Sequence, residues 1–253
     1  MKPFRHQQRP KKSTLVIGPV AVLEALQSGQ PLDRIYLDTK AQGKQISEIR
    51  NTATQQGIPV NYVPVAKLDS FHVAGHEGVV AQKARVQYQQ LQDVISWATD
   101  RGETPLFLIL DGITDIRNIG GIARTAYCCG VHGIIIPDKG VGALNEDAVL
   151  TSAGALEHIP ICRVNSLLKA IDELHLNGIK VFASEMKAAK TIAETDLTEP
   201  CAIVMGSEEK GIYPALLKSC DEKIKIPMKG DFESLNVSVA TGMILYEVMR
   251  QRS

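Results

Sequence analysis

Residues 106–137 read LFLILDGITDIRNIGGIARTAYCCGVHGIIIP, and this stretch decides the fold class of the chain. It opens with the apolar run 106–110, which is typical of a strand buried on both faces of a parallel sheet. Helical spacing follows over 118–129, Gly130 ends the helix, and 131–137 is a second buried strand. Because strand, helix and strand in this order form a βαβ unit, an α/β fold is predicted.

Residues 105–253 continue the same alternation, so we expect a mostly parallel sheet. Helical stretches such as 166–177 separate further strands, which are predicted at 159–164, 180–183, 201–205 and 223–226. The last segment, 237–252, is helical and apolar on more than one side. It therefore predicts contact with its own sheet and with a second subunit.

A smaller α/β unit precedes this one. Its strands are predicted around 34–37, 57–63 and 78–82, and its helices around 44–56 and 66–71. A Gln-rich stretch at 86–93 and a polar stretch at 99–105 follow it, and they bracket a short helix and indicate a domain junction. The predicted organisation is a basic tail at 1–12, a first unit at 13–85, a linker at 86–104 and a second unit at 105–253.

The composition excludes several classes of protein. With 44% hydrophobic and 22% charged residues over 253 positions, the chain has the make-up of a globular protein, not of a disordered or fibrous one. No apolar run reaches the length of a membrane span, and Gly18 and Pro19 interrupt the apolar stretch near the start. We therefore expect no membrane association, no signal peptide and a cytoplasmic location.

The net charge of zero hides an uneven distribution. Residues 1–95 carry 12 basic and 7 acidic side chains, and the tail at 1–12 is basic without a single acid. A basic module beside an acidic one indicates contact with a polyanion such as a nucleic acid. A solvated tail that only aids solubility would produce the same pattern.

The cysteines form an odd, unevenly spaced set without a Cys-x-x-Cys pair, so neither a disulfide framework nor a zinc site is indicated. We interpret them as reduced thiols that serve as small buried hydrophobic side chains. They are Cys128, Cys129, Cys162, Cys201 and Cys220.

Three glycine-containing segments follow predicted strands, at the edge where open parallel sheets bind ligands. They are DGITDIRNIGGIARTA at 111–126, IVMGSEEKGI at 203–212 and IPMKGDFESLNVSVATG at 226–242. Taken singly, each has a structural interpretation. Asn118, Ser234 and Asn236 are suited to capping helices. Arg124 and Glu208 could be solvated surface charges.

Because no Gly-x-Gly-x-x-Gly fingerprint and no P-loop ending occurs, a nucleotide-dependent enzyme is disfavoured.

Together and in this order, the three segments resemble the SpoU/TrmH family of RNA 2'-O-ribose methyltransferases, within the SPOUT superfamily. The family's first motif, an Asn followed six residues later by Arg, matches Asn118 and Arg124. The second, Gly-x-Glu-x-x-Gly, matches residues 206–211, and the third, Ser-Leu-Asn-Val-Ser-Val-Ala, is present at 234–240. In the first unit, HEGVVA at 76–81 looks like the RNA-binding domain, of ribosomal-protein-like fold, found in one subgroup of this family.

This resemblance implies a fold and a methyl donor. It implies a deep trefoil knot in the last third of the chain, which makes the second unit a SPOUT methyltransferase domain. S-adenosylmethionine would bind bent in the knot, at positions matching Gly206, Ile226 and Leu235. No metal would be required.

The resemblance also implies roles for the polar motif residues. Arg124 would stand near the ribose 2'-oxygen and the adjoining phosphate and stabilise the developing alkoxide, with deprotonation either direct or through the phosphate. Asn118, Ser234 and Asn236 would orient the ribose and Arg124. Glu208 would hold the loop geometry or Arg124.

The expected function is 2'-O-ribose methylation of a guanosine in 23S rRNA by a homodimer, since the additional RNA-binding domain favours a large structured RNA. Methylation of tRNA is the alternative substrate. A catalytically silent RNA-binding or ribosome-assembly factor that kept the fold is the alternative outside the enzyme class.

Overall fold

The computed structural model describes residues 14–142, 144, 146–230 and 234–253, so the basic tail predicted at 1–12 lies outside the described residues. The chain forms two compact units, which divide between Arg85 and Val86. In the described part of the chain, no helix is both long and apolar enough to cross a membrane.

The smaller unit is a four-stranded sheet with helices packed against it. Its elements are β1 (Leu15–Ile17), α1 (Pro19–Gln27), β2 (Leu32–Asp38), α2 (Lys44–Gln55), β3 (Val60–Val63), α3 (Val65–Asp69) and β4 (Val79–Lys83). The strand order is β1-β4-β2-β3, in which β2 and β3 are parallel and the other pairs are antiparallel. One face packs on α1 and α2 through Leu26 and Ile49, and the other packs on α3 through Leu68.

His76 shapes the turn that enters β4. Its Nδ1 accepts a hydrogen bond from the backbone N–H of Gly78 at 3.1 Å, and its Nε2 lies 3.0 Å from Oδ1 of Asp69. Gly78 has a φ of 82°, a conformation that favours glycine. The sequence HEG is therefore a structural turn that fixes the start of β4.

The larger unit is an eight-stranded sheet between two layers of helices. Its elements are β5 (Tyr88–Gln89), α4 (Leu91–Asp100), β6 (Leu106–Asp111), α5 (Ile116–Cys128), β7 (Gly133–Pro137), α6 (Glu146–Thr151), β8 (Ile161–Val164), α7 (Leu167–Leu176), β9 (Lys180–Ser184), β10 (Lys190–Thr191), β11 (Cys201–Gly206), α8 (Pro214–Ser219), β12 (Glu222–Lys225) and α9 (Val237–Gln251). The strand order is β10-β12-β9-β11-β6-β7-β8-β5. Every described pairing is parallel, which confirms the predicted α/β class.

Residues 86–104, predicted as a linker, supply β5 and α4 to the larger unit. Leu91, Val94 and Ile95 of α4 are 1–4% exposed and belong to the core. This burial follows the helical spacing of the apolar positions, which the glutamines around them obscure in the sequence.

Strand β6 has both of its faces buried, as its apolar run predicts. Leu106, Leu108 and Leu110 pack in the core beneath α5 and α9, while Phe107 and Ile109 pack beneath α4, α7 and α8. None of the five is more than 2% exposed. The central strand therefore holds the two helical layers together and carries Asp111 to its open end.

The cysteines are free thiols with unequal exposure. Burial raises the pKa of Cys162 to about 12 and that of Cys201 to about 11, so both stay protonated at neutral pH. Cys128 is exposed on α5, so the prediction that the cysteines are buried is wrong for this one.

The end of α9 is tied to the starts of the central strands. Arg252 donates hydrogen bonds to the carbonyl oxygens of Thr104 at 2.8 Å, Leu197 at 3.0 Å and Glu199 at 2.7 Å. Gln251 accepts from the backbone N–H of Leu197 at 2.9 Å. Gln251 and Arg252 therefore anchor the end of α9 to the segments that lead into β6 and β11.

Replacing Arg252 with Ala should lower the free energy of unfolding by about 2–4 kcal/mol, because three backbone carbonyl groups lose their charge-assisted donor. The measurement is urea unfolding followed by the fluorescence of Trp97, the one tryptophan of the chain, which lies in α4. Arg117→Ala is the matched control, since that side chain is 84% exposed and pairs only with Asp115 in the described structure. Equal midpoints for both variants would contradict the anchoring role.

Candidate active site

The three glycine-containing segments meet at the carboxyl ends of the central strands. Asp111 at the end of β6 is paired in register with Gly206 at the end of β11. Helices α5 and α9 both begin at this edge, and the segment after β12 leads into α9. Polar groups at three strand ends are therefore brought to one side of the sheet, where open parallel sheets bind ligands.

Asn118, Glu208 and Asn236 form one hydrogen-bonded group, which we call the Asn–Glu–Asn cluster. The Nδ2 of Asn236 donates to Oε1 of Glu208 at 2.7 Å and to Oδ1 of Asn118 at 2.9 Å. The Nδ2 of Asn118 and the backbone N–H of Val237 also donate to Oε1 of Glu208, at 3.4 and 3.3 Å. One carboxylate oxygen thus joins the three motifs.

Asn236 is also the N-cap of α9. Its Oδ1 accepts hydrogen bonds from the backbone N–H of Ser238 at 3.0 Å and from that of Val239 at 3.4 Å. Because the capping oxygen faces the helix, the amide nitrogen is directed at Glu208 and Asn118. Capping and cluster formation therefore use opposite ends of the same side chain.

Asn118 does not cap α5, so that structural interpretation is wrong. Asp115 is the cap, with its Oδ1 accepting from the backbone N–H of Arg117 at 2.9 Å. Asn118 lies in the first turn of the helix, half-buried, and its amide is free to reach Glu208.

Gly206 and Gly211 give the loop after β11 its tight shape. The backbone N–H of Gly211 donates to the carbonyl oxygen of Ser207 at 2.8 Å, and Gly211 has a φ of 65°. A Cβ built on Gly206 would lie 2.6 Å from the carbonyl oxygen of Gly211, closer than real contacts allow. Glycine at 206 is therefore needed for the close approach of the loop to its own strand.

Arg124 lies on the exposed side of α5 and does not join the cluster. It makes no hydrogen bond or ion pair with any other residue that the structure describes. Of the two roles considered for Glu208, the hydrogen bonds match the one that holds the loop.

Ile226 and Leu235 are half-buried and pack against the core beneath α5 and α9, so each leaves part of an apolar side chain open near the strand ends. The backbone of 226–230 forms no hydrogen bond with the backbone of any residue in the described ranges. Ser234 is exposed at the entrance to α9. These residues offer apolar surface, and the backbone of 226–230 offers groups that no described backbone group engages.

Asp111 was not among the residues singled out from the sequence. Its Oδ2 accepts a hydrogen bond from the backbone N–H of Tyr213 at 2.6 Å, which fastens the far end of the loop after β11 to the end of β6. A carboxylate that ends a fully apolar run is the signal that could have found it.

Helices α5 and α9 pack closely through small residues. A Cβ on Gly121 would lie 3.3 Å from Cβ of Ser238, and one on Gly242 would lie 3.6 Å from Cγ2 of Thr125. The first of these gaps is tight, so the glycine lets the two helix starts approach and the Asn–Glu–Asn cluster close.

Two family models match the chain. The model described as the SpoU rRNA methylase family matches residues 105–246, and the one described as RNA 2'-O ribose methyltransferase substrate binding matches residues 15–89. The chain belongs to the SpoU/TrmH family of RNA 2'-O-ribose methyltransferases. The larger unit accordingly has the mostly parallel α/β fold of this family.

Individual members of the SpoU/TrmH family match over nearly the whole chain. YacO of Bacillus subtilis, named as a TrmH family tRNA/rRNA methyltransferase, is 40% identical over 238 residues, which are 94% of this chain and 96% of YacO. A protein of the same description from Staphylococcus aureus is 39% identical and covers 95% of this chain and 97% of its own length.

Solved structures of the SpoU/TrmH family share this fold. The SpoU methyltransferase AviRb from Streptomyces viridochromogenes has a TM-score of 0.58, is 26% identical and covers 94% of this chain and 89% of its own. The TrmH/SpoU tRNA modifying enzyme from A. aeolicus has a TM-score of 0.54 and is 30% identical, over 64% of this chain and 84% of its own.

Gly206→Ala should lower the free energy of unfolding by about 1–3 kcal/mol, because the added methyl group forces the loop away from its strand. Gly230→Ala is the matched control, since a Cβ there meets nothing within 4 Å in the described structure. Both are measured by urea unfolding of the larger unit, and a loss of equal size in the two variants would refute the steric argument.

Proposed function

We propose that the protein transfers the methyl group of S-adenosylmethionine to the 2'-hydroxyl of a guanosine in 23S rRNA, as its resemblance to RlmB, the 23S rRNA guanosine 2'-O-methyltransferase, implies. The Asn–Glu–Asn cluster carries the proposal, because it gathers all three motifs at the ligand-binding edge of the sheet. The letters of all three motifs are intact, which favours an enzyme over a silent factor that kept only the fold.

The strand ends suit S-adenosylmethionine, which when bound supplies a methyl group activated by a sulfonium. Gly206 lets the backbone approach closely, Ile226 and Leu235 present apolar surface, and the backbone of 226–230 can hydrogen-bond the edge of an adenine. AviRb has also been solved in complex with AdoMet.

Arg124 is assigned to stabilising charge on the ribose. Methylation requires the 2'-oxygen to align with the methyl carbon, whose bond to sulfur breaks as S-adenosylhomocysteine leaves. The 2'-oxygen carries negative charge on the way and gives up its proton either directly to Arg124 or to the adjoining phosphate. A guanidinium donates hydrogen bonds in a fixed fork and accepts none, so Arg124 can hold the 2'-oxygen and an adjoining phosphate together. Its exposure and its lack of a described partner leave those donors available to RNA.

The polar motif residues are assigned to positioning. Asn118 and Asn236 are held by Glu208 at the entrance to α5 and α9, and they set the geometry beside Arg124. Ser234, exposed one turn before α9, offers a hydroxyl to the ribose. Glu208 acts through the loop it fastens and does not itself touch the reacting atoms.

The smaller unit supports rRNA over tRNA as the substrate. It matches a model for RNA substrate binding, whereas the tRNA modifying enzyme from A. aeolicus leaves more than a third of this chain unmatched. An additional RNA-binding unit favours a large folded RNA, in which loops display unstacked nucleotides and their 2'-hydroxyl groups.

The functional unit is assigned as a homodimer formed through α9. This helix buries one side in the core and exposes an apolar stripe at helical spacing on the other, made of Val239, Met243, Tyr246 and Met249, each 42–67% exposed. Contiguous exposed apolar surface marks an interaction site. Because Gly121 of α5 packs on Ser238 of α9, the stripe runs beside the helix that carries Arg124.

The substrate is tested by incubating the full-length protein and labelled S-adenosylmethionine with unmodified 23S rRNA and with bulk tRNA in parallel. We expect label in 23S rRNA at a single guanosine, mapped by its resistance to alkali. Label only in tRNA would replace the proposed substrate. Absence of label in both, together with no S-adenosylmethionine binding by calorimetry, would indicate the silent RNA-binding factor.

Arg124→Ala should lower the turnover of methylation by about a hundredfold or more, because the developing alkoxide loses its charged donor. Its affinity for S-adenosylmethionine should stay unchanged. Arg101→Ala is the control, since Arg101 pairs with Glu103 ahead of β6, at the opposite end of that strand. Near-normal turnover of the Arg124 variant would remove it from the reaction.

Met243→Lys should convert the dimer into a monomer, because it places a charge in the middle of the apolar stripe on α9. Leu176→Lys, a change of the same kind at an 88% exposed position of α7, should leave the dimer intact. Sedimentation at micromolar concentration distinguishes the states, and a wild-type monomer would contradict the assignment.

A further inference from the structure

The edge of the smaller unit formed by β3 carries a cation over an aromatic ring on each face of the sheet. The guanidinium carbon of Arg50 lies 5.3 Å from the ring centre of Tyr62, and Nζ of Lys67 lies 5.6 Å from that of Phe71. Tyr62 is on β3 and shares the face of Leu37, beneath α2, while Phe71 packs with the opposite face, beneath α3. Tyr62 is 55% exposed.

The loop 39–43 brings a third cation to this edge. The backbone N–H of Thr39 donates to the carbonyl oxygen of Val63 at 3.1 Å, and Nη2 of Arg50 donates to that of Ala41 at 3.3 Å. Lys40 therefore lies between two residues tied to β3 and to Arg50. We call Lys40, Arg50, Tyr62, Lys67 and Phe71 the β3 platform.

Asp38 and Asp69, the acids two positions from Lys40 and Lys67 in the sequence, are each hydrogen-bonded to a group other than a lysine ammonium. Oδ1 of Asp38 accepts from the backbone N–H of Lys40 at 3.2 Å, and Oδ1 of Asp69 lies 3.0 Å from Nε2 of His76. Neither Lys40 nor Lys67 forms an ion pair with a residue in the described part of the chain. The ammonium groups of Lys40 and Lys67 are therefore available to an anionic ligand.

Arg50 has donors to spare. Its Nε is buried and has no hydrogen-bond partner among the described residues, and the one hydrogen bond of its guanidinium goes to Ala41. Buried polar groups are normally satisfied, so this side chain is held over Tyr62 at some cost. The buried Nε is closed to an incoming acceptor, whereas the Nη nitrogens carry further N–H donors besides the one that bonds Ala41.

We propose that the β3 platform binds unstacked nucleotides of the RNA substrate, with a base on Tyr62 and phosphates on Lys40, Arg50 and Lys67. The proposal rests on the proposed function and assigns the RNA-contacting face of the smaller unit. Aromatic rings bordered by cations recognise single-stranded nucleic acid through base stacking and phosphate contact.

A protein strand added to β3 is the competing occupant, since β3 pairs only with β2 in the described structure. Strand addition would use the backbone edge and would need neither the rings nor the cations. Three cations gathered at one end of the parallel pair β2 and β3 instead complement a polyanion.

Lys83 supplies a matched control within the same unit. It lies opposite Leu32 in the pairing of β4 with β2, at the end of β2 away from Lys40, and forms no ion pair with a described residue. Lys83→Ala removes the same charge as Lys40→Ala from the same unit while leaving the β3 platform intact.

The test measures the affinity of the full-length protein for unmodified 23S rRNA and for a labelled twelve-nucleotide single-stranded RNA, over a range of salt concentrations. Lys40→Ala combined with Lys67→Ala should weaken binding at least tenfold and reduce the slope of log affinity against log salt by about 1–2, because two phosphate contacts are lost. Tyr62→Ala should weaken binding by about tenfold with an unchanged slope, and Tyr62→Phe should restore it. Lys83→Ala should bind as the wild type does.

Affinities that stay at the wild-type level in the platform variants would overturn the proposal, as would an equal loss in Lys83→Ala, which shows only diffuse charge attraction. Loss with Tyr62→Phe equal to that with Tyr62→Ala would exclude stacking. Failure of the proposed function looks different, because the wild type would then place no methyl group on 23S rRNA. Affinity for S-adenosylmethionine, measured in parallel, should be the same in every variant.

Discussion

One carboxylate oxygen, Oε1 of Glu208, ties together segments that are far apart in the chain. It accepts hydrogen bonds from Asn118, Asn236 and the backbone of Val237, which belong to the starts of α5 and α9. Hydrogen bonds to a charged acceptor are stronger than neutral ones, so this oxygen can hold three donors against solvent. The positions of the loop after β11 and of both helix starts depend on it.

The small residues beneath this cluster make it possible. Gly206 lets the loop fold back on its strand, and Gly121 lets α5 approach α9 at Ser238. Larger side chains at either place would separate the donors from Glu208. The polar cluster and the glycines therefore depend on each other. Close backbone packing at Gly206 and Gly121 brings the donors within reach of Glu208, and the hydrogen bonds to its carboxylate hold them there.

The role proposed for Arg124 depends on a guanidinium that has no side-chain partner in the described structure. Glu208 bonds two amides and a backbone N–H and no guanidinium, and Arg124 is exposed on α5 without a side-chain partner among the described residues. A cation held near a polar, half-buried edge and left unpaired is suited to an anionic substrate. On the smaller unit, Arg50 and Lys67 are likewise cations suited to an anionic substrate, and each is held over an aromatic ring.

Local pattern was sufficient for much of the fold. The apolar run at 106–110 and the helical spacing after it predicted β6, α5 and β7 to within two residues, because burial on both faces of a parallel strand leaves a continuous signal. The segment 86–104 was harder, since glutamines surround the few apolar positions of α4 that enter the core. Its packing depends on side chains distant in sequence.

For the candidate site too, some features could be predicted from the sequence and others required the tertiary structure. The motif letters alone singled out Asn118, Arg124, Gly206, Glu208, Ser234, Leu235 and Asn236 through their resemblance to a family. Only the tertiary structure decided that Glu208 binds the two asparagines and not Arg124, and that Asp111 fastens the loop through Tyr213. The physical reason is that a sequence shows which groups can donate and accept, whereas the pairing of groups 28 to 118 residues apart depends on strand order and close helix packing.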